Sequence, residues 1–566
     1  MKKILNRLKH ISTDMRVLFI WVVAALVIPN IALDITEPSK WLWKAANILL
    51  PAGAYILFMS ISRRSGLMTL LSLPFMILAA FQIVLLYLYG ESIIAVDMFL
   101  NVVTTNVGEA TELLANLFVA ILTVVVIYLP PLTWGTYSLC RHFKISQSFR
   151  MKAIKLGAIM SVAGGMLTIT ASITAHSAFH REIFPANVIY NMSEAVKRTR
   201  QIAHYYETCA GFSYNATTSR PIDEKEIYLF IIGETARGEN WQLGGYGRNN
   251  NPRLSHEGNS VFFPRAITES NTTHKSVPMI MSFASAENFD SINHYKSIIT
   301  AMKEAGFHTG FFSNQAPNNS FTELFGNEAD NVRYTDFSTA NHPYDSSLLP
   351  MLRQALADTT HAKKFIVLHT YGSHFLYRDR YPREFAKFLP DDAIDANAGH
   401  RNDLINAYDN TILYTDSFLA DAIGLLRATG CKSALLYSAD HGEDIFDDQR
   451  ERFLHASPNP TYHQLHVGML IWLSDTMTAL HPEFMTNLRR NSSLGVSPQK
   501  SMFNTAIELA GVNTPRFDAS QSLVNPAYKY NDPVYLNDLN VAVPLMDAGI
   551  KESDKANLKR LLDPQH

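Results

Sequence analysis

Four short apolar runs in the second half of the chain each end in side chains able to do chemistry. Ile227–Ile232 leads into Gly233-Glu234-Thr235, and His308–Phe312 into Ser313-Asn314-Gln315. Phe365–Leu368 leads into His369-Thr370-Tyr371-Gly372-Ser373-His374, and Ala434–Tyr437 into Ser438-Ala439-Asp440-His441-Gly442-Glu443. One such ending would be ordinary turn chemistry, because Asp and Asn favour loops. Convergence of successive endings on His, Asp and Glu points instead to a metal. Carboxylate oxygen combined with imidazole nitrogen suits zinc. Asp440 and His441 are neighbours, and neighbours on a strand face opposite ways, so the strand must end there for both to reach one ion. Glu234 and His374, at equivalent strand ends, complete the candidate set.

The elements that must position these groups are legible around them. The four runs, with Met469–Leu473, read as buried strands. Helix-like stretches such as Tyr295–Ala305 and Asp403–Thr429 lie between them. Alternation of this kind predicts an α/β domain with a mostly parallel sheet, whose site forms at the carboxyl ends of the strands.

The first third of the chain is a different material. Five stretches, Val17–Leu33, Ala45–Ser62, Gly66–Gly90, Leu113–Cys140 and Leu156–Thr174, are apolar enough to cross a bilayer, which takes roughly 20 residues as a helix. Four further spans follow the first, so it is not a cleavable signal. Lys2, Lys3, Arg7, Lys9 and Arg16 precede span one, Arg63 and Arg64 lie between spans two and three, and Arg141, Lys144, Arg150 and Lys152 between four and five. The loops in between are nearly free of positive charge. That alternation sets the N-terminus in the cytoplasm and everything after span five outside. The expected organisation is a transmembrane domain over 1–175, a bridging helical region over 176–219, and a catalytic α/β domain over 220–566. Ile183, Val188, Ile189, Met192, Ala195 and Val196 give the bridge an apolar side, suited to a membrane surface or to packing as a linker. The net charge of −2 carries no signal for nucleic acid, and three cysteines are too few for a disulfide scaffold. Cys209 and Cys431 share the outer side and could pair.

The chain resembles the phosphoethanolamine transferases of Gram-negative inner membranes, within the alkaline phosphatase/sulfatase superfamily. The residues that carry the resemblance are Gly233-Glu234-Thr235-Ala236-Arg237 with Gly245-Tyr246, Asn271-Thr272-Thr273-His274-Lys275-Ser276-Val277-Pro278, and Gly372-Ser373-His374 with Arg380-Tyr381-Pro382. Tyr408-Asp409-Asn410 and Ser438-Ala439-Asp440-His441-Gly442-Glu443 complete it. The resemblance implies a zinc site formed by Glu234, Thr273, Asp440 and His441, with Thr273 as nucleophile and a second zinc possible. It implies that His374 and His455 stand near the phosphate or the second metal. It implies that Asn101, Thr105 and Glu109, whose four-residue spacing aligns them on one helix face, line the pocket of the donor headgroup. The donor implied is phosphatidylethanolamine, and the acceptor a lipopolysaccharide component, lipid A first and a core sugar next. The implied location is the inner membrane, with the catalytic domain in the periplasm.

Three departures and several rivals qualify the resemblance. The glycine that follows the second histidine in the family is Ala456 here. Cysteines that often bracket the nucleophile are replaced by Ser270 and Met279, so packing must hold that loop. A lysine often found after the second strand is missing from Asn314–Ser320, and Lys275 is a candidate substitute charge. Thr272 and Ser276 compete with Thr273 by proximity alone. Pro278 suits a helix start just after the nucleophile. A glycerol-phosphate transferase or a glucan-modifying relative would share the same core. A sulfatase would need a cysteine or serine in a formylglycine context, which does not precede Pro278. A non-catalytic membrane protein on a degenerate enzyme fold is disfavoured by the intact nucleophile and ligands.

Overall fold

The computed structural model describes residues 14–37, 39–89, 93–104, 117–175, 178–337, 343–393 and 396–563. The chain divides into two compact units: 1–100 with 113–197, and 101–112 with 198–566.

In the first unit, four helices among the described residues are long and apolar enough to cross a membrane: α1 (Met15–Thr36), α2 (Trp41–Met59), α6 (Phe118–Cys140) and α7 (Gln147–Ala175). The third expected span is a bent pair, α3 (Ser65–Leu71) and α4 (Leu73–Tyr89), meeting at 56°. Helix α5 (Val96–Thr104) follows it. Pro29 lies inside α1 and has no N–H to offer the carbonyl of Ala25, four residues back. The Tyr128 hydroxyl of α6 donates to that carbonyl at 3.0 Å. A neighbouring helix thus satisfies the group that proline frees, which is how membrane helices tolerate it. Asn30 and Asn47 join α1 to α2 reciprocally, each amide donating to the other's backbone carbonyl at 2.8 and 3.2 Å. Gly53 lets α2 approach α7 closely: a Cβ there would lie 2.6 Å from the Ser161 nitrogen.

The second unit is built on a seven-stranded sheet of β1 (Glu226–Gly233), β2 (Ser260–Phe262), β3 (His308–Ser313), β4 (Asn331–Tyr334), β5 (Lys363–His369), β6 (Lys432–Ala439) and β7 (Met469–Leu473), in the order β2-β7-β6-β1-β5-β3-β4. The block from β6 to β4 is parallel throughout, and β7 runs antiparallel to both its neighbours. Every residue of β1, β5 and β6 is buried, as expected of continuous apolar runs covered on both faces. Register is pinned at the amino edge by charge. Glu226 opens β1 opposite Lys363 and Lys432, and its carboxylate meets both ammonium groups (2.9 and 3.2 Å) and Arg220 (2.6 Å). Burial alone would raise its pKa, but these cations hold it below the usual range. A one-residue slip of β1 would leave that carboxylate buried and unpaired.

Two helices differ from the sequence reading. The stretch Tyr295–Ala305 is helical only over Ile298–Glu304, where Ser297 caps the start by accepting from the Ile299 amide. The helix after Thr272 already begins at Thr273 and runs to Ile280, so Pro278 sits inside it rather than at its start. The extended conformation of Thr272 turns the chain early enough for this. The long helix Arg401–Ala428 matches its expected extent within two residues. Cys140, Cys209 and Cys431 are unpaired.

Candidate functional site

The carboxyl ends of β1 and β6 are adjacent in the sheet, which brings Glu234 beside Asp440 and His441. All three are buried, and one ligand atom from each lies within 4.8 Å of the others. His441 Nε2 stands 3.5 Å from Glu234 Oε1 and 3.3 Å from Asp440 Oδ2. The His441 Nδ1 proton is given to the Gly442 carbonyl at 2.9 Å, so a neutral ring presents Nε2 to the carboxylates. Burial lowers the His441 pKa and favours that neutral form. Burial, reinforced by Asp440, pushes Glu234 up to about 8, and burial pushes Asp440 up to about 7. Asp440 Oδ1 accepts from the Thr235 and His441 amides at 3.1 and 2.8 Å, whereas the buried Oδ2 has no hydrogen-bond partner. Two desolvated carboxylates, an imidazole lone pair and an orphaned oxygen fit a divalent cation such as zinc.

Thr235 has a positive φ of 57°, a conformation that side-chain-bearing residues rarely hold. Three contacts fix it: its amide on Asp440, its hydroxyl on Glu234 Oε1 at 2.7 Å, and its carbonyl under the Tyr408 hydroxyl at 2.6 Å. The last of these is the work of Tyr408 on the long helix. Asp409 itself holds Asn240 and Tyr246, at 2.7 and 2.8 Å, in the loop beyond.

Thr273, the first residue of its helix, turns its hydroxyl to within 3.1 Å of His441 Nε2 and 3.4 Å of Glu234 Oε1. Its rivals are occupied. The Ser276 hydroxyl donates to the Asp440 carbonyl at 2.6 Å, and the Thr272 hydroxyl is buried against Ser270 Oγ at 3.1 Å. His374 and His455 line the cavity that opens over Thr273, a space of about 140 Å³. The His455 ring centroid is 4.0 Å from that of His441 and 6.2 Å from that of His374. His374 donates Nδ1–H to the Phe375 carbonyl at 2.7 Å, which fixes its tautomer. Asn101 lies on α5. Thr105 and Glu109 lie outside the described residues.

Two expectations about the nucleophile loop are corrected. Lys275 does not supply a substitute charge in the cavity: it is buried and its ammonium donates to the Asn537 carbonyl at 2.8 Å. The loop is held by polar bonds rather than by packing alone. Gln499 donates to Thr268 and Ser276 at 2.7 and 2.8 Å, and Asn271 donates to Ser457 and Gln464 at 2.8 and 2.6 Å. Asn271 belongs to the quoted motif, but Gln499 lies more than 220 residues further along, and a lone amide carries no sequence signal of this role. Gln315 was visible at its strand end, but its function was not: it donates to Glu234 Oε2 at 3.3 Å and to the Thr370 carbonyl at 2.8 Å. Glu239, Asp447 and His463 form another acidic and imidazole cluster. Arg237 bridges it with ion pairs of 2.9 Å to each carboxylate, so its charge is already balanced.

The sulfatase family model matches residues 226–512, just over half of the 566-residue chain. The chain belongs to the sulfatase family. It is 30% identical over 326 residues to phosphoethanolamine transferase EptA of Salmonella typhimurium, covering 55% of this chain and 58% of that protein. The chain spans about half the length of the curated relatives it matches. The zinc complex of the C-terminal periplasmic domain of Escherichia coli EptC superposes with a TM-score of 0.54 at 26% identity, over 60% of this chain and 97% of that one. The integral membrane lipooligosaccharide phosphoethanolamine transferase A of Neisseria meningitidis shares the fold at a TM-score of 0.71 and 20% identity, over 90% of this chain and 98% of that one. That match extends through the apolar helices as well as the α/β domain.

Proposed function

We propose that this protein is an inner-membrane phosphoethanolamine transferase that carries the group on Thr273, takes it from phosphatidylethanolamine, and passes it to a lipopolysaccharide component, lipid A first. The observation that carries this reading is the Thr273 hydroxyl beside three buried ligand atoms at a strand edge. The relationship to EptA supports the transferred group, and four apolar helices of spanning length support a lipid donor.

Glu234, Asp440 and His441 would hold zinc, with the Thr273 oxygen beside them. When bound, zinc supplies Lewis acidity to the nucleophile and to the phosphoryl group. The Thr273 oxygen forms a bond to phosphorus as the bond to the diacylglycerol oxygen breaks, and the hydroxyl proton ends on diacylglycerol. Backbone N–H groups at the start of the Thr273–Ile280 helix face the phosphoryl oxygens. His374 and His455 contact the same oxygens from across the cavity. In the second half, an acceptor hydroxyl or phosphate attacks the same phosphorus and restores Thr273. The proposed orientation has the catalytic unit on the periplasmic side, where both lipids are accessible.

The test is diacylglycerol release from phosphatidylethanolamine vesicles by the full-length protein with zinc. Release by the native protein and none by Thr273→Ala supports the reading. Release from phosphatidylglycerol but not from phosphatidylethanolamine replaces it with glycerol-phosphate transfer.

A further inference from the structure

The cavity over Thr273 is also lined by residues that the transfer chemistry leaves unused, and these make up one arm of its wall. The end of β3, the end of β5, β4 and the segment before Phe321 supply it. His369 and Ser320 are 3% and 5% exposed, and both line this cavity together with Tyr334. His369 Nε2 and the hydroxyls of Ser320 and Tyr334 are buried atoms with no hydrogen-bond partner. Three orphaned polar atoms around one space are a costly arrangement unless something polar fills it.

The chemistry of the lining says what that is. The Ser313 hydroxyl donates to the Gln315 carbonyl at 2.9 Å, so its oxygen receives the His369 Nδ1 proton at 3.0 Å. His369 Nε2 is therefore an acceptor. Burial holds the His369 pKa down to about 4, which keeps the ring neutral. Glu323 adds a carboxylate, and among the described residues no Lys or Arg lines the cavity. The sequence from 314 to 332 has no Lys or Arg at all. An arm of acceptors with a negative charge is unsuited to phosphate and suited to a small cation with N–H donors.

Its position suits the far end of the transferred group. His369 pairs with Ile232, two residues before Glu234, and adjacent strands lie about 4.8 Å apart. Gln315, which lines the same cavity, is bonded to both Glu234 and the Thr370 carbonyl and so stands beside the ligand cluster and the end of β5.

We propose that this arm seats the ammonium of the phosphoethanolamine group on Thr273, with Glu323, His369 Nε2 and the Ser320 and Tyr334 hydroxyls as its acceptors. This rests on the proposed transfer reaction and concerns the group once it is on Thr273, as distinct from the donor headgroup pocket that Asn101, Thr105 and Glu109 are expected to line.

Titration calorimetry on the full-length, zinc-loaded protein tests it with two ligands: O-phosphoethanolamine, and propyl phosphate, which replaces the ammonium by a methyl group. The native protein binds phosphoethanolamine more tightly by about tenfold, the worth of one charge-assisted hydrogen bond. Glu323→Gln and Tyr334→Phe each reduce that ratio several-fold, and affinity for propyl phosphate reports whether the compartment around Thr273 is intact. A ratio unchanged in both variants, or no preference in the native protein, means that the arm holds only water and overturns the proposal. Failure of the transfer reading shows separately, as no diacylglycerol release from phosphatidylethanolamine by the native protein.

Discussion

The Thr273 hydroxyl stands 3.1 Å from Nε2 of His441, on the side of the ring whose lone pair is left open by the Nδ1 bond to Gly442. Neither residue could be placed there by its own element. Thr273 begins a helix and His441 follows a strand, 168 positions apart. Their meeting depends on Ser276, one turn along the helix, whose hydroxyl is tied to the carbonyl of Asp440. The nucleophile and the ligand pair are therefore fixed to each other through backbone.

Removing a ligand should remove the metal. Asp440→Asn and His441→Ala are expected to lose bound zinc, measured by elemental mass spectrometry, and to lower diacylglycerol release by about 100-fold or more. Chelation of the native protein should have the same effect, and added zinc should reverse it in the native protein but not in His441→Ala.

Gln315 should tune the site without being part of it. Gln315→Leu removes a bond to Glu234 Oε2 and leaves the ligand atoms in place. Zinc affinity, measured against a chelating dye, is expected to fall about 10-fold. Excess zinc should restore most of the activity, which a collapse of the fold would not permit.

The bonds that hold the nucleophile loop should show in stability. Gln499→Leu leaves Thr268, Ser276 and the Glu269 amide short of partners in a fully buried setting. A loss of about 1–3 kcal/mol is expected, read as a lower thermal midpoint of the α/β unit.

The Arg237 cluster predicts a pH dependence on both sides of neutrality. Burial opposes charging of His463, yet Glu239 at 2.5 Å lifts its pKa to about 9. Because that value is above the unfolded one, the stabilisation is complete below the unfolded pKa near 6.5 and is lost as pH rises through 9. Burial likewise opposes the Glu239 carboxylate, but Arg237 and His463 hold its pKa down to about 2. Its contribution is present above the unfolded pKa and is lost as pH falls toward 2. Denaturation midpoints at pH 6.5 and 9.5 should therefore differ, and His463→Gln should flatten the alkaline arm. Equal alkaline slopes would show that the pair does not couple to folding.

Much of this arrangement was legible because it is carried by strand ends. Continuous apolar runs identify β1, β5 and β6, and the residue after each run must sit at the carboxyl edge, so Glu234, His374, Asp440 and His441 could be read directly. Residues that act from other elements were not legible in this way. Gln499 reaches the nucleophile loop from a site with no periodic or motif signal, and Ser457 and Gln464, which accept from Asn271 of that loop, are equally unmarked. The burial of Lys275 depends on the carbonyl of Asn537, supplied by a segment more than 260 residues away. The arm beside Gln315 is a property of a space, enclosed by four separate segments, and spaces have no sequence pattern.

The central claim is that Thr273 carries the transferred group, and intact-mass analysis followed by peptide mapping tests it most directly. After incubation of the zinc-loaded full-length protein with phosphatidylethanolamine and no acceptor, a single adduct of phosphoethanolamine mass is expected on Thr273, absent from Thr273→Ala and Asp440→Asn. Diacylglycerol release with the adduct on Ser276 or Thr272, or with an undiminished adduct in Thr273→Ala, would contradict the account.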